Sequence, residues 1–147
     1  MLKKARILIV DDERSLRELL RLHLQNEGYE VVEAPDAIAA GRLLLEDRSI
    51  DLLIVDAHMP YMTGIEFAAT VIADTTLPPL PIILITGRTD LADRADLLDV
   101  PCLVKPFSAD MLISVVEKCI SVPAAAAGLR ERRMTRLSAY EGRQRHA

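Results

Sequence analysis

Leu52-Leu53-Ile54-Val55-Asp56-Ala57-His58-Met59-Pro60 is the stretch that decides how this chain folds. Four consecutive apolar residues form the pattern of a strand covered on both faces, and the run stops at a carboxylate followed by a proline-containing loop. Asp56 is therefore delivered to the C-terminal end of a strand. In an open α/β sheet that edge is where ligands collect, because loops leave the strands there and helices present their N-termini. Taken alone, an aspartate at such a point is better explained as a turn former or a helix cap. The rest of the chain changes that balance.

Upstream, Arg6 to Val10 reads as a first buried strand running into Asp11-Asp12-Glu13. Leu16, Leu19, Leu20 and Leu24 then recur at helical spacing until Gly28 supplies a stop. Glu30 to Glu33 is a second short strand, and Asp36 caps a helix with Ala37, Ala40, Gly41 and Leu44 on one face. Downstream of Asp56, Gly64 ends the loop and Ile65, Ala68, Ala69 and Ile72 mark the next helix, before a break at Leu77-Pro78-Pro79-Leu80-Pro81. Ile82 to Thr86 is a fourth buried strand, followed by Gly87 and a short helix marked by Leu91, Ala95 and Leu98. Pro101 to Val104 is a fifth strand ending at Lys105-Pro106, and Ser108 caps a helix carrying Leu112, Val115, Val116 and Cys119. Five alternations of strand and helix predict an α/β fold: a doubly wound, five-stranded parallel sheet with helices on both faces.

With 147 residues, half of them hydrophobic, the chain has enough material for one good core and little for two. Residues 1–122 carry 20 Asp/Glu against 12 Lys/Arg, whereas 123–147 carry six arginines against Glu131 and Glu141. The composition shifts at Pro123-Ala124-Ala125-Ala126-Ala127-Gly128, so a boundary is placed there, separating a domain over 1–122 from a basic tail. The apolar run near the N-terminus is too short for a signal peptide or a membrane span, and a cytoplasmic location is expected. Cys102 and Cys119 lack metal-ligand spacing and read as small hydrophobes rather than a disulfide. Three Tyr, two Phe and no Trp argue against a base-stacking surface.

The polar strand ends form a set: Asp11 and Asp12 after the first strand, Asp56 after the third, Thr86 after the fourth, Lys105 after the fifth. A parallel sheet lines all of them along one edge. Each has an ordinary explanation as a turn residue, cap or surface charge. Jointly those explanations would require four strands to place complementary groups at one edge by chance. Three gathered carboxylates repel one another unless a cation is bound, and hard oxygen ligands with open positions suit Mg²⁺ with phosphate as co-ligand. A hydroxyl and an ammonium beside them suit the remaining oxygens of a phosphoryl group, which an aspartate can accept covalently.

On Ile7-Leu8-Ile9-Val10-Asp11-Asp12-Glu13, Asp56 with Met59-Pro60 and Gly64, Thr86-Gly87 and Lys105-Pro106-Phe107, the chain resembles the receiver domain of two-component response regulators, in particular the chemotaxis receiver, over about residues 4–121. The resemblance implies that Asp56 takes a phosphoryl group from a sensor histidine kinase or phosphotransfer protein. It implies Mg²⁺ held by Asp12 directly, Asp11 mainly through water, Asp56 and the backbone carbonyl of His58. Lys105 would pair with phosphoryl oxygens and Thr86 would move to hydrogen-bond one, switching the binding of a downstream protein target. No enzymatic activity is implied beyond the chain's own phosphorylation and dephosphorylation.

Departures from the family pattern are informative. Cys102 stands where the family usually has a switching aromatic, and the segment from Thr86 to Lys105 is shorter than usual, so an abbreviated fourth helix is expected. Asp90, Asp93, Asp96 and Asp99 read as a solvated face. His58 and Arg88 occupy positions where the family varies the lifetime of the phosphoryl group. His23, on a helix with apolar neighbours, reads as structural. The tail, with a ragged stripe of Leu129, Met134, Leu137 and Tyr140, is expected as a disordered arm, an extension of the last helix, or a linker. Six arginines without a fold or base-reading motif favour a protein contact or disorder over DNA. The favoured reading is a stand-alone phosphorylated receiver. Its alternatives are a phosphorylation-independent interaction module or the receiver part of a larger regulator. A hydrolase of the haloacid dehalogenase type ranks behind both, because neither Asp11-Asp12-Glu13 nor Asp56-Ala57-His58 has its Asp-x-Asp arrangement.

Overall fold

The computed structural model describes residues 4–88, 98–121 and 128–145. The apolar runs form five strands, β1 (Arg6–Val10), β2 (Glu30–Ala34), β3 (Leu52–Asp56), β4 (Ile82–Thr86) and β5 (Cys102–Val104). The described helices are α1 (Arg14–Asn26), α2 (Ala37–Glu46), α3 (Gly64–Ala73), α4 (Ala109–Ile120) and α5 (Leu129–Arg145). All strand pairings are parallel, in the order β2-β1-β3-β4-β5. Every position of β3 and β4 is buried, as a strand covered on both faces requires. The expected short helix at Leu91 and Ala95, the aspartates at 90, 93 and 96, and the length of the fourth helix lie outside the described residues.

The two-residue period of the strands sorts the apolar side chains into two cores. Ile7, Ile9, Leu52, Ile54, Ile83 and Ile85 face Leu20 and Leu24 of α1 and Leu112 and Val116 of α4. On the other face, Leu8, Val10, Leu53, Val55, Ile82 and Leu84 meet the apolar sides of α2 and α3. Caps start the helices where the sequence signals them. Asp36 accepts from the Ala39 N–H at 2.8 Å and Ser108 from the Met111 N–H at 3.1 Å, each satisfying a donor that the helix leaves orphaned. Thr63, not singled out from the sequence, does the same for Glu66 of α3 at 3.2 Å.

The helix faces differ in part from expectation. Leu19 is half exposed, because Leu20 and Leu24 already fill the stripe over the sheet. In α3, Phe67 and Val71 are buried beside Ile65, Ala68 and Ile72, because this helix packs on β3 and β4 and also against α5. Cys102 and Cys119 are free thiols of intermediate exposure, and His23 is half-buried on α1.

Residues 129–145 form a helix of their own. Leu137 and Tyr140 are buried in the core cluster that holds β4 and α3, so the boundary drawn at 122 separates compositions, not packing. Arg133, expected as part of a solvated basic tail, is also buried, and its guanidinium donates to the Leu80 carbonyl.

A tight connection after β3 brings α3 back onto the sheet. The Gly64 N–H donates to the Ala57 carbonyl at 3.0 Å, closing the loop that follows Asp56. A Cβ at Gly64 would lie 2.2 Å from the Asp56 carbonyl oxygen and 2.8 Å from the Ala57 Cα, both backbone atoms that cannot swing aside. Gly64→Ala is therefore expected to cost about 2–4 kcal/mol, through displacement of backbone in a packed region. A thermal melt should register this as a midpoint lowered by roughly 5–10 °C.

Candidate functional site

Register explains why the polar strand ends meet. Val10 pairs with Val55, so Asp11 and Asp56 leave adjacent strands at the same level. Thr86 pairs with Val104, and the Lys105 N–H continues the ladder by donating to the Thr86 carbonyl at 2.7 Å. Each functional side chain is thus rooted on a buried strand and projects from the C-terminal edge. Carboxylate oxygens of Asp11, Asp12 and Asp56 lie within 4.8 Å of one another. Asp11 and Asp56 are buried, whereas Asp12 is exposed.

Neighbouring groups orient the site. Lys105 Nζ lies 3.2 Å from Asp56 Oδ1, and the His58 N–H donates to Asp56 Oδ2 at 3.2 Å. Asp56 is therefore approached from both oxygens. Asp11 Oδ1 accepts from the Glu13 N–H at 2.8 Å, and the Asp11 carbonyl accepts from Arg17 at 2.7 Å, a contact the sequence did not signal. Thr86 is fully buried, and its Oγ1 accepts from the Arg88 N–H at 3.0 Å. The side chains of His58 and Arg88 are exposed at the rim, and Cys102 sits half-buried on β5 opposite Leu84.

Asp11 Oδ2 is buried with no hydrogen-bond partner among the described residues. Burial, followed by the charges of Asp56 and Asp12, raises the Asp11 carboxyl from 3.8 to about 6, although the Glu13 N–H and Lys105 pull the other way. Three clustered carboxylates against one ammonium, one of them with an orphaned buried oxygen, are a donor set that a small hard dication satisfies. The residues present fit Mg²⁺.

The C-terminal edge of the five-stranded parallel sheet thus joins a buried aspartate to two acidic neighbours, a lysine and a buried threonine. The sequence profile of the response regulator receiver domain matches residues 7–117, and the chain belongs to that family. The response regulator MprA of Mycobacterium ulcerans is 37% identical over 112 residues, covering 74% of this chain and 47% of that protein. MprA of Mycobacterium tuberculosis matches to the same extent. The chain thus spans about half the length of the curated relatives it matches. Among solved structures, chemotaxis response regulator CheY4 of Vibrio cholerae is 32% identical with a TM-score of 0.72, covering 79% of this chain and 98% of that one. The response regulator TrrA of Thermotoga maritima, solved in complex with Mg²⁺-BeF, is 34% identical with a TM-score of 0.71, covering 78% and 98%. Among the described residues, no helix is long and apolar enough to cross a membrane.

The raised Asp11 carboxyl makes metal-free stability pH-dependent. Between the ordinary carboxylate value and about 6, the folded chain holds a proton that the unfolded chain has released, so stability falls as pH rises through this window. Asp11→Asn should remove this loss, raising metal-free stability at pH 7.5 by about 1–3 kcal/mol while changing it little at pH 4. Thermal melts of both proteins in chelator at the two pH values check this. Added Mg²⁺ should raise the midpoint of the native chain far more than that of the variant.

Proposed function

We propose that this chain is a receiver that takes a phosphoryl group on Asp56 from a sensor histidine kinase or phosphotransfer protein, in the cytoplasm, and thereby switches its binding of a downstream protein. The observation that carries the reading is the Asp56 carboxylate itself, buried at a strand end, paired with Lys105 and flanked by Asp11 and Asp12. An Asp56 oxygen would attack phosphorus while the donor's P–N bond breaks, its electron pair leaving on the imidazole. Asp11, Asp12, Asp56 and the His58 carbonyl would hold Mg²⁺, which when bound offsets the charge gathered by carboxylates and phosphoryl oxygens.

The chain's own residues supply the rest. Lys105, rooted by its backbone bond to Thr86, keeps an ammonium beside the acceptor for an incoming phosphoryl oxygen. Thr86 Oγ1, now accepting from Arg88, retains a proton to donate to another. Redirecting that hydroxyl would alter the backbone after β4, a local electrostatic event biasing a two-state element. A second reading, as the receiver portion of a larger regulator, is favoured by the chain's spanning about half of each MprA relative.

Intact-mass measurement after incubation with acetyl phosphate and Mg²⁺ tests the chemistry. The native chain should gain one phosphoryl adduct, lost on adding chelator before the reaction, and Asp56→Asn should gain none. An unmodified native chain would refute the reading. The exposed side chains of His58 and Arg88 stand at the rim of the site, where bulk hinders an attacking water. His58→Ala combined with Arg88→Ala should shorten the adduct's lifetime severalfold in a time course after donor removal, and an unchanged decay would remove both residues from that role.

A further inference from the structure

The C-terminal helix has the composition of a solvated tail but lies in the core. Leu137 and Tyr140 are buried in the core cluster that also holds Ile82 and Leu84 of β4. Thr86 has the same parity along β4, so its side chain leaves the strand on the face that those two residues share, and half-buried Cys102 of β5 packs against the same cluster. The helix therefore packs on α3 and shares one core cluster with the strand that ends in the threonine of the acceptor site.

A second contact reaches the segment between Thr86 and Lys105. Arg132 Nε lies 3.6 Å from Asp99 Oδ2, and Asp99 holds a left-handed backbone with φ 59° beside buried Leu98 and Val100. Lys105 is bound through its N–H to the Thr86 carbonyl and through its ammonium to Asp56. Atoms bonded to Asp56 and to Thr86 thus sit at the end of the strand pair whose side chains share that cluster.

Docking is also opposed from within. Arg133 is 4% exposed, its guanidinium donates to the Leu80 carbonyl, its Nε has no hydrogen-bond partner, and it forms no salt bridge among the described residues. Burial of this charge, which Asp99 offsets only in part, works against Leu137 and Tyr140. Two apolar anchors set against a buried cation leave the helix held by a small difference of larger contributions.

We propose that α5 is an intramolecular strap over the α3–β4 face, docked in the unmodified chain and released when Asp56 carries a phosphoryl group. This rests on the phosphoacceptor reading of Asp56. Coupling between the two events is reciprocal: to the degree that modification favours the undocked form, undocking favours modification. Release uncovers an apolar surface including Val71, Ile72 and Leu80, together with the basic helix itself, and so delivers two new contacts to a partner in one step.

Hydrogen exchange of the full chain, read by mass spectrometry with and without acetyl phosphate and Mg²⁺, tests the strap, with intact mass reporting the modified fraction. Amides of 129–145 should exchange about tenfold faster in the modified chain, within the ordinary span of allosteric coupling, and should not change in Asp56→Asn. Tyr140→Ala should undock the helix without modification and, by reciprocity, bind Mg²⁺-beryllofluoride more tightly than the native chain. An adduct on Asp56 with unchanged protection at 129–145 would overturn the strap alone. Absence of an adduct would instead overturn the phosphoacceptor reading on which it rests.

Discussion

Mutual repulsion among Asp11, Asp12 and Asp56 is the constraint around which this molecule is built. Left to relax, three carboxylates would separate. They are kept within 4.8 Å because Asp11 and Asp56 are rooted on β1 and β3, central strands with side chains buried on both faces. The sheet thus stores an unfavourable charge arrangement at one edge, and the two apolar cores supply the free energy that holds it there. The Asp11 carboxyl, raised first by burial and then by the charges of Asp56 and Asp12, and its orphaned oxygen are local signs of that cost. On the proposed function, a cation or phosphoryl group arriving at this edge would meet a site already organised for it, with little reorganisation required at the moment of binding.

Much of this was legible in the chain. Apolar runs that end on Asp56, Thr86 and Lys105 have only one placement in a parallel sheet, so fold and site follow from the same residues. Caps at Asp36 and Ser108 were legible because their chemistry is local. Leu19 was not, since periodicity marks an apolar side of a helix but does not say how much of it the sheet has room to cover. Phe67 and Val71 were missed for the converse reason: α3 gained a neighbour, α5, from far along the chain. The Cβ-free approach of Gly64 to the Asp56 carbonyl required knowing where the loop turns back. The burial of Arg133 ran against the usual behaviour of arginine and is a tertiary fact that composition opposes.

The two faces of the sheet differ in construction. α1 and α4 cover one face with a compact set of aliphatic side chains. The other face is closed by α2, α3 and a helix that arrives last, across the boundary where composition changes. Ion pairs tie the periphery together, with Arg17 and Arg21 of α1 both reaching Glu33 of β2 and Arg6 bridging to Asp47. Such partly exposed pairs contribute modestly to stability, and their effect is chiefly to fix orientation.

Those same charges bear on how the sheet ends. β2, one outer strand, carries Glu30 and Glu33, the second clamped by two arginines, while β5, the other, is three residues long. Neither margin offers a long, flat, apolar row of unpaired amides, so the sheet is a poor template for strand-by-strand growth into aggregates. The surface left for contacts is thereby that of the helices and loops, and the sheet remains a private scaffold.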